Sequence, residues 1–128
     1  LAAARATARH LLEQGSALQD KLNQRTAALV ERLNNMTAEM GIPVRFTRFG
    51  SFFAIAMSES RITQDTVNLL SFLLLTAGVH LRAGDRGGFL STAHSDADIA
   101  TVFDAFASGL STLASVGLLE RHERTINA

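Results

Sequence analysis

The stretch at residues 78–99, GVHLRAGDRGGFLSTAHSDADI, constrains the fold more than any other part of the chain. It reads as a short strand, a polar glycine-rich loop, a second short strand and a capped helix start. Gly78 ends an apolar helix, and Val79-His80-Leu81 is too short and too β-like to continue it. Gly84, Gly87 and Gly88 admit backbone angles that other residues resist, around the charged pair Asp85 and Arg86. Phe89-Leu90-Ser91 forms an apolar return strand. Ser95 followed by Asp98 is a capping-box pattern that opens the last helix.

The remaining elements follow from periodicity. Leu18, Leu22, Leu29, Leu33, Met36 and Met40 step by threes and fours or their sum, giving one apolar helix stripe. Gln19, Asp20, Gln24, Arg25, Glu31, Arg32 and Asn35 fill the solvent side. Gly15-Ser16 separates this helix from the one before it, with Ser16 as its expected cap. Gly41-Ile42-Pro43 stops it. Over residues 44–57, Val44 and Phe46 alternate with Arg45 and Thr47, Gly50-Ser51 interrupts, and FFAIAM resumes as a more apolar strand, so a hairpin is expected. Thr63 caps a helix over residues 65–77 that is apolar nearly all round and therefore expected to be buried on most faces. The last helix spans residues 96–116, with Ile99, Val102, Phe103, Phe106, Leu110 and Leu113 on its apolar face. The order is helix–helix–strand–strand–helix–strand–strand–helix: an α+β fold, with a small antiparallel or mixed sheet packed against helices. The domain is placed at residues 1–116 and a charged tail or linker at 117–128.

Composition narrows the function classes. With 128 residues, 47% hydrophobic and 19% charged, the chain is a globular domain with its own core. A formal net charge of zero leaves no basic field to hold nucleic acid or an acidic membrane. The absence of cysteine removes disulfides, thiolate catalysis and cysteine metal sites, and fits a reducing compartment. The most apolar run, near residues 69–77, is about half of what a membrane-spanning helix needs. The expectation is a cytoplasmic domain with no nucleic-acid, membrane or metal partner.

Arg86 is the sharpest candidate for chemistry. In a glycine-rich loop just before Phe89, its guanidinium is suited to grip a carboxylate or phosphate as a bidentate fork. The competing reading is a solvated loop arginine. Asp85 reads as a turn residue, and His94, beside the Ser95 cap, as a partner for neighbouring backbone. His80, His94 and Asp96 match no metal-ligand spacing. Ser91 lacks a nucleophile-elbow motif, and GDRGG precedes a strand and has no lysine, so a nucleotide loop is not supported. Arg45 and Arg48 beside Phe46 and Phe49 read as sheet-face residues. Lys21, the chain's single lysine, lies in a polar helical stretch with no apolar pocket signature to activate it.

Three segments in fixed order, GS followed by aromatic residues at Gly50, GVHL at Gly78 and FLSTAHSDADI at Phe89, resemble the C-terminal segment of class III pyridoxal-phosphate (PLP) aminotransferases. Within that class they are most similar to the glutamate-1-semialdehyde aminomutase branch, and FLSTAH with its acidic helix start is especially like the aminotransferase domains embedded in polyketide and peptide synthases. The opening LAAARATARHLLEQG resembles the helix after the GNP turn of that family. The resemblance covers the chain to about Leu113. It implies the small domain of a fold-type-I enzyme that moves an amino group through PLP to a keto or aldehyde acceptor. The cofactor lysine and most of the PLP pocket would lie in a large domain of the same chain, with no catalytic residue in this segment.

The same resemblance implies a homodimer and a small-molecule or carrier-bound acyl substrate. It gives Arg86 a tentative substrate-binding role. The aminomutase branch has a glutamate near that position, whereas the synthase-embedded relatives tend to carry an arginine in a short loop. LRAGDRGG is also about a residue shorter than the aminomutase pattern, which argues against semialdehyde aminomutase activity and leaves the amino acceptor unidentified. The alternative is a self-contained α+β interaction module that binds a partner through its apolar helix at residues 67–75.

Overall fold

The computed structural model describes residues 1–82 and 87–120. Helix α1 (Ala2–Gln14) buries no residue. It ends at Gly15, where φ is +60° and ψ −147°, a conformation open mainly to glycine. Gly15 is also the N-cap of α2 (Ser16–Glu39), and no side chain caps that helix. Ser16, the expected cap, is instead its first helical residue.

The apolar stripe of α2 is buried only from Thr26 onward, through Leu29, Val30, Leu33 and Thr37, with Leu18 and Leu22 half-buried. The two threonines sit in the core because each hydroxyl is satisfied within the helix, Thr26 by Leu22 O at 2.9 Å and Thr37 by Asn34 O at 3.1 Å. The helix stops as its sequence predicts. Gly41 takes φ +66°, its N–H reaches Ala38 O, and the Ile42 N–H reaches Thr37 O at 2.9 Å, together a Schellman exit.

Strand β1 (Phe46–Phe49) turns through Gly50-Ser51 into β2 (Phe52–Ile55), pairing antiparallel with Phe49 opposite Phe52. Gly50 at φ +58° supplies the positive angle that a two-residue hairpin turn requires. The outer edge of β1 is closed by Asn34 of α2. Its side-chain amide donates to Phe46 O at 3.0 Å and its oxygen accepts the Phe46 N–H at 2.8 Å.

Helix α3 (Gln64–Thr76) begins at the expected Thr63, whose hydroxyl accepts the Thr66 N–H. Its inner face, Thr66, Val67, Leu70 and Leu74, is buried, but Leu69, Phe72 and Leu75 are exposed, Phe72 at 66%. The helix is therefore covered on one face, not on most. Strand β3 (Gly87–Phe89) pairs antiparallel with β2 and completes a three-stranded sheet of order β1-β2-β3 among the described residues. It starts two residues earlier than its apolar residues predict. Val79 and Leu81 are buried, but Val79-His80-Leu81 forms no strand; an isolated antiparallel bridge joins Arg82 to Gly87 instead. Helix α4 (Asp96–Ser115) lies across α2 and α3.

The core sits between the helices and one face of the sheet. Phe106 is fully buried and meets the Phe46 ring edge-on at 5.1 Å and the Phe53 ring at 6.3 Å. Gly109 lets α4 approach α3, since a Cβ there would stand 2.8 Å from Leu70 Cδ1. Leu119, just past the final helix, is also buried in this cluster. The α+β architecture with a small antiparallel sheet is the one the sequence implies.

Candidate functional site

The distinctive region of the molecule is β3 with the segments on either side of it. Arg82 N–H donates to Gly87 O at 2.9 Å, so the chain leaves and re-enters the sheet at one point across residues 83–86. Asp85 and Arg86 fall in that segment and lie outside the described residues. Gly87 is required for strand pairing: a Cβ there would fall 1.8 Å from Phe53 O. Phe89 stacks on Phe52 at 4.9 Å and has the Arg82 guanidinium 5.9 Å from its ring centre. Beyond β3, the Leu90 N–H still reaches Ser51 O at 2.9 Å.

A tight turn then carries the chain into α4. Nδ1 of His94 accepts the Ser91 N–H at 2.9 Å, and the His94 N–H returns to Ser91 O at 3.2 Å. The Ser91 hydroxyl lies 3.1 Å from the same Nδ1. That nitrogen already accepts a backbone N–H, so the pair locks the turn and does not form a nucleophile with its base. The capping box is complete: the Ser95 hydroxyl accepts the Asp98 N–H at 3.1 Å, and Asp98 Oδ2 accepts the Ser95 N–H at 2.7 Å. The Ser95 backbone N–H is the main cause that holds the Asp98 carboxyl below its usual range. The Ser95 hydroxyl and the nearby His94 pull the same way, and burial opposes them.

One long-range side chain fastens this turn. Arg25 of α2 spreads its guanidinium over two acceptors, Nη1 donating to His94 O and Nη2 to Asp96 Oδ1, both at 2.9 Å. Periodicity had placed Arg25 on the solvent side of α2, yet its side chain is only 22% exposed. No local pattern announces this role, because the partners lie 69 and 71 positions away.

The other sequence candidates are not drawn together. His80 is exposed, and His94 serves the turn, as expected of a histidine beside a cap. Arg45 and Arg48 are exposed on the sheet. Lys21 is exposed on α2 and borders an open groove of about 300 Å³ with Gln14, Leu18, Leu22, Arg25 and Thr92. An exposed lysine with no enclosing pocket does not fit the covalent holding of PLP.

No family model matches the chain. Among curated proteins it is similar to glutamate-1-semialdehyde 2,1-aminomutases. The protein from Laribacter hongkongensis is 35% identical over 115 residues, covering 82% of this chain and 27% of its own length. The one from Nitratidesulfovibrio vulgaris is 30% identical over 96 residues, covering 67% and 23%. Among solved structures, the chain superimposes on a β-phenylalanine aminotransferase from Variovorax paradoxus with a TM-score of 0.69 and 27% identity, over 80% of this chain and 25% of that one. A transaminase with PLP bound shares the fold at TM-score 0.70 and 21% identity, over 84% and 26%. An omega-transaminase from Sphaerobacter thermophilus does so at 0.67 and 22%, over 79% and 25%. The chain thus spans about a quarter of the length of the relatives it matches, and over most of its own length it is aminotransferase-like in sequence and fold.

Proposed function

We propose that this chain is the C-terminal small domain of a class III, PLP-dependent aminotransferase, with its core domain at residues 1–116; since Leu119 packs into the same core, the linker expected at 117–128 begins only beyond it. One observation carries the reading. The chain matches aminomutases in sequence and a β-phenylalanine aminotransferase in fold over about four fifths of its length. The reaction is transfer of an amino group to a keto or aldehyde acceptor, with PLP supplying the electron sink. The cofactor and its lysine belong to the large domain of the parent chain, because Lys21 does not fit that task. The parent acts as a cytoplasmic homodimer. FLSTAH and the short arginine-bearing loop favour an acceptor carried as a thioester acyl chain over free glutamate semialdehyde.

Within this reading each part of the segment has a physical task. Arg86 grips a carboxylate or phosphate of the substrate as a bidentate fork. The Arg82–Gly87 bridge fixes the base of its loop, and the 91–95 turn fixes the far end of β3. The test is the absorbance of PLP in the full-length parent and its bleaching by an amino donor, with Arg86→Ala alongside. A cofactor band, half-transamination and weakened acceptor use in the variant are the expected results.

A second reading draws on the exposed Leu69, Phe72 and Leu75 of α3: a self-contained module that binds a protein partner through this apolar face. The same experiment separates the two. A parent without a cofactor band leaves the module.

A further inference from the structure

We infer that the turn from Ser91 to Ser95 is a pH-sensitive latch, closed while the His94 ring is neutral and opened when the ring takes up a proton. The latch works whatever the parent catalyses, because every group it uses lies in or beside the turn. In the closed form His94 Nδ1 accepts the Ser91 N–H at 2.9 Å and lies 3.1 Å from the Ser91 hydroxyl. That hydroxyl oxygen also accepts the Ala93 N–H at 3.3 Å, and the His94 N–H returns to Ser91 O at 3.2 Å. A backbone N–H can only donate, so Nδ1 must present its lone pair and the ring proton sits on Nε2.

Histidine is the side chain whose ordinary charge change falls between about pH 5 and 8. With a proton on Nδ1, two N–H donors face each other across the 2.9 Å contact. The Ser91 hydroxyl can rotate and accept the new proton, since an alcohol both donates and accepts. The Ser91 N–H cannot follow, and it must turn to water. The movement is confined, because both ends of the turn are held without the ring. Upstream, Leu90 is buried and its N–H bonds Ser51 O. Downstream, Ser95 and Asp98 close the capping box.

The charges around the ring come from three directions. On α4, Asp98 lies close enough for the charge of His94 to act on it, and both hydrogen bonds it takes from Ser95 end on Oδ2, so Oδ1 takes part in neither. Asp96, also on α4, is paired with Arg25 of α2, whose guanidinium holds the His94 carbonyl as well. Lys21 of α2 borders the groove that Arg25 and Thr92 line. From the segment after α3, His80 walls a small cavity with His94 and Asp98, and Arg82 stands over Phe89, another wall of it. The swung-out imidazolium thus has a carboxylate, Asp98, beside it, while Arg25 keeps the backbone of the turn tied to α2.

The experiment is hydrogen-exchange mass spectrometry of the full-length protein from about pH 8 to about pH 5. The amides of residues 90–95 report the turn, and exchange at the imidazole C2–H of His94 reports its proton uptake. Corrected for the intrinsic pH dependence of exchange, the 90–95 amides should speed up on the order of fivefold to tenfold as His94 protonates, as expected for one lost hydrogen bond. Peptides from the β1–β2 hairpin and the middle of α4 should not change. His94→Asn cannot titrate, so its 90–95 amides should show no such step. Proton uptake by His94 with no change in these amides overturns the latch. A ring that stays neutral down to about pH 5 does so too, as does a step of equal size in His94→Asn.

Discussion

The two faces of the small sheet are nearly equal in apolar content and opposite in fate. On the inner face Phe46, Phe53 and Ile55 are buried against Phe106 and the helices. On the outer face the register aligns Phe49, Phe52 and Phe89 in one row across all three strands. Phe49 in that row is 87% exposed and Phe89 55%. A sheet covered on one side ordinarily alternates apolar with polar residues. This one is apolar on both sides, as sheets covered twice are, yet Phe49 and Phe89 stay exposed among the described residues. The lesson is that burial within the chain and selection for burial differ. On the proposed reading, the remainder of the parent enzyme supplies the second cover.

The sharpest way to break this comparison is at its inner face. Truncating Phe106 to alanine removes the ring on which Phe46 and Phe53 converge, and the 128-residue chain should lose about 3–5 kcal/mol in urea denaturation. A loss below about 1 kcal/mol would mean that the inner face is no better packed than the outer. Gly87→Ala comes next. Its Cβ would meet the Phe53 carbonyl, so either β3 or β2 must move, at about 3 kcal/mol, the upper part of the overpacking range. Loss of the amide protection of Leu90, whose N–H bonds Ser51 O, would report the displaced strand by hydrogen exchange.

Ser95→Ala, at the end of the segment that leaves the sheet, should cost about 1 kcal/mol. Its partner Asp98 gives that effect a pH signature. The folded-state pKa of Asp98 is lowered, so its contribution is present above the ordinary value of 3.8 and is lost as the pH falls through the folded value. The difference between wild type and Ser95→Ala should therefore shrink below about pH 4, as followed by thermal melts across that range. The smallest effect belongs to the outer face. Phe49→Ser should change the stability of the 128-residue chain by no more than about 0.5 kcal/mol. The same substitution in the full-length parent should destabilise it clearly more, and equal effects in the two contexts would show that nothing covers the row.

What the sequence disclosed is what short-range chemistry decides. The Thr63 and Ser95 caps, the Gly41 exit and the Gly50-Ser51 hairpin each use residues a few positions apart, and each forms as read. The apolar residues predict β3 two positions too late because Gly87 and Gly88 have no strand preference; pairing with Ala54 and Phe53 makes them a strand. Conversely, Val79-His80-Leu81 has the right residues, but among the described residues only one bridge, Arg82 to Gly87, lies beside it. Arg25 and Asn34 were invisible as functional side chains for a related reason. Each is an ordinary polar residue on a helix until the fold brings a distant carbonyl to it. The exposure of Phe72 could not be read either, since an apolar residue in a helix says nothing of which side lacks a neighbour.

The amide of Asn34 has a consequence beyond holding α2 to the sheet. By accepting the outward N–H of Phe46 and donating to its outward carbonyl, one side chain does what a neighbouring strand would do at that position. An incoming β-strand, from a second molecule or a misfolded copy, finds the start of this edge already occupied and has only the turn-proximal residues left to pair with. A chain whose outer sheet face carries a bare aromatic row is a natural seed for edge-to-edge stacking. Here a single asparagine acts as a stopper at the start of the β1 edge and shortens what an incoming strand can pair with.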